Sequence, residues 1–153
     1  MARKLLVALA AAALFAFAAV GVASAQPPTT TTTHSPFSET FVDEVCNGEF
    51  AEITLEGKIV FHETVFDDGR YHLTGTIVAD FTWTQSGVTY TGHVTQWFGE
   101  NSNKKNFNGT FTVNGQGKGS DGSKVSVKGV AHFTVNANGE VTAAFERFSI
   151  ECR

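Results

Sequence analysis

The stretch FNGTFTVNGQGKG, residues 107–119, alternates without interruption. Its even positions, Asn108, Thr110, Thr112, Asn114, Gln116 and Lys118, are polar, while its odd positions run Phe107, Gly109, Phe111, Val113, Gly115, Gly117 and Gly119. A period of two marks a strand with one face on a core, yet here the core-facing set fades from phenylalanine to glycine. The next segment accounts for this. Val125, Val127, Gly129, Ala131 and Phe133 keep the same parity. A three-residue loop at Ser120-Asp121-Gly122 sets Gly117 opposite Val125, Gly115 opposite Val127, Val113 opposite Gly129, Phe111 opposite Ala131 and Gly109 opposite Phe133. Each small residue faces a larger one, which is how the interior of a small barrel is filled. Strand glycines also permit the sharp bend that such a sheet needs. A phosphate-cradling loop would require a helix after it, and the pattern that follows is again that of a strand.

The same alternation runs through the rest of the chain, broken at Gly-containing turns. The inward set reads Ile53, Leu55, Ile59, Phe61 and Val65, then Tyr71, Leu73, Ile77, Ala79, Phe81 and Trp83. After Ser86-Gly87 the parity flips to Val88, Tyr90, Val94 and Phe98. A two-residue loop there pairs Trp83 with Tyr90 and Asp80 with His93. Asp67-Asp68-Gly69 and Ala137-Asn138-Gly139 suit three-residue loops that keep odd residues facing odd ones. The last segment offers Val141, Ala143 and Phe145, then Phe148, Ile150 and Cys152, so a β-bulge is expected near Glu146-Arg147. These registers predict an all-β domain, a single up-and-down antiparallel β-barrel of about seven or eight strands, with a two-sheet sandwich as the alternative.

The ends carry separate signals. Arg3 and Lys4, an uncharged run from Leu5 to Val22 and Ala23-Ser24-Ala25 read as a signal peptide over residues 1–25, cleaved before Gln26. Residues 26–38, QPPTTTTTHSPFS, hold all three prolines and five consecutive threonines. This composition predicts a disordered leader. The domain then spans 39–153, and its two cysteines, Cys46 and Cys152, lie near its two ends. In an exported chain they are expected to form a disulfide. The protein is thus expected to be secreted, with no membrane association after cleavage.

Without Arg3 and Lys4, 9 basic residues face 15 acidic ones, a net charge of −6. The cations cluster at residues 104–128 among Asn, Gly and Ser, unlike the aromatic-interleaved basic surface of a nucleic-acid binder. No nucleophile elbow is present, and only Glu63 is an inward carboxylate on a clear strand, so enzymatic activity is not expected. His62, His72, His93 and His132 point outward without the three or four convergent ligands of a zinc site. Neither a metal nor a cofactor is expected.

Two features carry functional expectations. Inward polar residues gather at one rim: Glu63 and Tyr71 beside the 67–69 turn, and Gln96 before the polar loop GENSNKKN. With a wall of Phe61, Leu73, Ile77 and Phe98 they form a candidate site for a small apolar molecule with one polar end. The competing expectation is a core filled by inward aromatics. On the outer face Val60, Val78 and Trp97 form a candidate contact patch for a protein partner or weak self-association, against an otherwise monomeric domain. The domain also resembles small exported all-β proteins of high-GC Gram-positive bacteria, through HFTVNANGEVTAAF, the closing FSIECR and the upstream Cys46. That resemblance implies a fold and no mechanism.

Overall fold

The computed structural model describes residues 27–103 and 105–153. The segment read as a signal peptide lies outside the described residues. Seven strands follow in order: β1 (Thr29–Glu44), β2 (Phe50–Val65), β3 (Tyr71–Gln85), β4 (Val88–Ser102), β5 (Asn106–Gly119), β6 (Lys124–Asn136) and β7 (Val141–Cys152). A short 3-10 turn at Cys46–Gly48 separates the first two. All seven belong to one sheet whose spatial order is the chain order, and every neighbouring pair is antiparallel. The fold is therefore an all-β meander in a single sheet, not a two-sheet sandwich. Strands β1 and β7 are its edges and share no ladder, so the sheet is not closed.

The turns behave as their residues require. Ser86 and Gly87 both have positive φ, 50° and 79°, the geometry of a tight two-residue hairpin. Gly69, Gly122 and Gly139 close three-residue loops, each donating its N–H to the carbonyl three residues back. Consequently the expected registers hold, including all five pairs between β5 and β6, Trp83 with Tyr90, and Asp80 with His93.

Three expectations are corrected. The 26–38 leader is not disordered over most of its length, since β1 begins at Thr29 and pairs Thr29 through Ser38 with Val65 through Glu56. Composition alone omits the backbone partner: β2 is 16 residues long, and its free edge offers a ladder to whatever extended segment lies beside it. Threonine is a good strand residue, and Thr30 and Thr32 bond across to Thr64 and His62, each at 2.9 Å. Pro36 is tolerated because β1 is an edge strand.

The irregularity in β7 lies near its start, where the β6 register shifts between Thr134 and Val135, and not at Glu146-Arg147. Ala144, Glu146, Phe148, Ile150 and Cys152 thereby oppose the inward residues of β6, while Ala143 and Phe145 turn outward. Finally, β4 continues to Ser102 and β5 starts at Asn106, so most of GENSNKKN is paired strand and the connection spans only residues 103–105.

The interior is packed at the end near the 3-10 turn. Ile53, Leu55, Phe81, Trp83, Tyr90, Val94, Val125 and Val127 are buried together. The Trp83 ring stacks between those of Phe81 and Tyr90, with centroids 4.9 and 5.2 Å away. Cys46 and Cys152 stand at disulfide distance across this end, their Cα atoms 5.6 Å apart, and tie the start of β2 to the end of β7.

Candidate functional site

Away from that packed end the interior opens into a cavity of about 390 Å³. All seven strands contribute to its wall, so the sheet curls around it although its edges do not pair. The wall is aromatic and aliphatic, chiefly Phe37, Ile59, Phe61, Phe98, Phe111 and Phe133. Phe61 and Phe98 meet edge to face, centroids 5.6 Å apart. The glycines of the opening stretch and its neighbours make room for these rings. A side-chain carbon at Gly75 would collide with the Phe98 ring, and one at Gly109 with the Phe133 ring.

Gln96 is the polar group at depth. It is 6 % exposed, and it borders both the large cavity and a smaller one of about 60 Å³ toward the packed end. Its carboxamide oxygen is buried and meets no hydrogen-bond donor. Gln85, the other buried glutamine, donates from Nε2 to the Cys46 carbonyl at 2.6 Å and so serves the structure around the 3-10 turn, although its oxygen too meets no donor.

Carboxylates mark the cavity's edges. Glu100 lines it from β4 and Glu146 from β7. Glu63, Leu73 and Glu100 are consecutive partners across β2, β3 and β4, and Tyr71 lies one step nearer the 67–69 turn. Burial pushes the Glu100 carboxyl above the usual carboxylate range. The Tyr71 hydroxyl is pushed up to about 12, first by burial and then by the negative charges of Glu100 and Glu63.

Of the seven residues expected at the site, Phe61, Ile77, Gln96 and Phe98 line this cavity, whereas Glu63, Tyr71 and Leu73 do not. Glu100 was missed because its segment reads as loop, although Phe98, Glu100 and Ser102 continue the inward parity of β4. Phe37 was missed with the rest of β1. Glu146 was missed because of the bulge, which moves it to the inner face.

The outward histidines engage cross-strand partners: His62 with Thr32, His72 with Asn101, His93 with Asp80 and His132 with Thr110. Among the described residues no group of three or more His, Cys, Asp or Glu is placed to hold a metal ion, and no helix is long and apolar enough to cross a membrane. Val60, Val78 and Trp97 lie together on the outer face, where Val78 is 55 % and Trp97 41 % exposed. The indole of Trp97 rests over Gly99, within 2.8 Å of where a side-chain carbon would stand. The chain matches no protein-family model, no curated protein and no solved structure.

Proposed function

We propose that this is an exported, non-enzymatic β-barrel protein that holds one small apolar molecule in the 390 Å³ cavity. The single observation behind this reading is the cavity itself, an apolar hollow walled by every strand with one buried, unpartnered carboxamide oxygen. Its size falls within the roughly 300–1,000 Å³ of small-molecule sites. The hollow is not sealed, because the edges of β1 and β7 do not pair. Its wall suits an apolar occupant better than ordered water, which needs two to four polar partners.

The curl of all seven strands around one hollow supports the barrel reading. Glu39 and Asp43 on β1 and Glu146 on β7 lie on the inward parity of the two edge strands. Inward charges of like sign on edge strands hinder their pairing, and leave a seam through which a ligand can enter.

The test is titration with a neutral naphthylamine dye, following dye emission and quenching of Trp83. Saturable binding of one dye per chain, blocked by Ala131→Phe, which projects a ring into the cavity, is expected. The absence of saturable binding by the folded wild type would overturn the reading. A protein-contact role for the outer face is the second reading, and the exposure of Trp97 and Val78 is what favours it.

A further inference from the structure

The polar groups around the cavity restrict what the occupant can be. Among its lining residues are two carboxylates, Glu100 and Glu146, and no Lys or Arg. Glu63 adds a third negative group in the same row, two strands from Glu100. A ligand anion would enter an apolar hollow with like charges at its edge and, among the described residues lining it, no Lys or Arg to receive it, an unfavourable arrangement; Arg147 lines only the smaller cavity. Fatty-acid-like molecules, the usual candidates for a hollow of this shape, are therefore disfavoured.

Gln96 adds the complementary requirement. A buried carbonyl oxygen without a donor leaves a desolvation penalty that a partner would relieve. The Gln96 oxygen is such an acceptor, lying between the large and small cavities. It stands four residues along β4 from Glu100, about 13 Å at the rise of a strand. The acceptor is therefore deep; Glu100 is far from it, while Glu146 borders both cavities with it. The unmet need at that depth is a hydrogen-bond donor. A neutral hydroxyl brings the missing donor without a charge.

Resting on the ligand-binding reading above, we propose that the cavity selects a neutral apolar molecule bearing one hydroxyl, which donates to the Gln96 side-chain oxygen, and that Glu100 and Glu146 exclude the corresponding carboxylate. The specificity is thus for a long-chain or cyclic alcohol over a fatty acid of the same body.

Displacement of the neutral dye by three ten-carbon probes separates the parts of this proposal. The probes are 1-decanol, its methyl ether, which keeps the oxygen but has no donor, and decanoate at neutral pH. Decanol is expected to bind roughly tenfold more tightly than the ether, the worth of one donor to a buried acceptor, and decanoate to bind more weakly still. Gln96→Met, close in volume, should bring the ratio of decanol to ether near one. Glu100→Gln should narrow the gap between decanol and decanoate. Urea midpoints no lower than that of the wild type show that both variants are folded, and the wild-type ratios stand as a test without them. Equal affinity of the wild type for decanol and ether would overturn the donor requirement, and equal affinity for decanol and decanoate would overturn the charge rule. In either case ligand binding itself would survive. Failure of the dye to bind would instead remove the underlying reading.

Discussion

The ring of Phe81 on β3 lies over Gly117, two strands away on β5. A side-chain carbon at Gly117 would stand 2.5 Å from Phe81 Cζ, and the same distance separates that atom from a side-chain carbon at Gly92, on the strand between them. The three residues occupy one row of the sheet. One aromatic ring therefore fills the space of two missing side chains, and the sheet can bend sharply where they are missing. Phe81 also lines the smaller cavity toward the packed end.

Gly117→Val is accordingly expected to destabilise the domain by about 1–3 kcal/mol through overpacking. Gly115→Val should cost less, since the nearest side-chain atom there, Val127 Cβ, is 3.3 Å away. Thr112→Val, on the exposed face, should stay within about 0.5 kcal/mol. Urea midpoints of the three variants check the order, and equal midpoints would mean that the ring does not depend on the glycine.

Cys46 and Cys152 are 106 residues apart in sequence and at bonding distance in space. Oxidised, they would close a loop worth about 5 kcal/mol in the chain-entropy model. Native protein should show no thiol reactive to alkylation, and Cys152→Ser should lower the thermal midpoint clearly. Two readily alkylated thiols in folded protein would rule the bond out.

The raised carboxyls of Glu100 and Glu39 have a definite sign. Burial lifts both above their unfolded value of 4.5, so the folded chain binds these protons more tightly than the unfolded one. Their contribution to stability is present below that value and is lost as pH rises through the folded pKa. Glu100→Gln should therefore raise the unfolding midpoint relative to wild type near neutral pH, with the difference shrinking toward about pH 4. A difference that stays constant across this range would show that the gain is not electrostatic.

Trp97→Ser should leave dye binding unchanged, because Trp97 faces away from the cavity, while removing any concentration-dependent association. Sedimentation velocity on both proteins gives the answer. A wild type that sediments as a monomer at every concentration would deprive the outer patch of a role in self-association.

Strand pairing was legible without coordinates because two local rules overlap. Side chains alternate with a period of two, and the length and glycine position of each turn set which residues face each other. Gly117 opposite Val125 and Trp83 opposite Tyr90 follow from nothing else. The same alternation also carried Phe61, Ile77, Gln96 and Phe98 to one face, and the structure places all four in one cavity wall.

Tertiary structure decided what alternation cannot express. Whether Thr29–Ser38 is strand or leader depends on the bare edge of β2 beside it, a partner remote in sequence. Whether Glu146 or Phe145 points inward depends on one register shift opposite Thr134 and Val135, which leaves no mark of its own in residue type. The cavity depends on how far the sheet curls and on the rings seated over Gly75 and Gly109. Pairing is settled by neighbours along two strands, and so it can be read from a chain. A hollow is the space left when seven strands have packed, and only their joint arrangement gives it a volume and sets Gln96 at its depth.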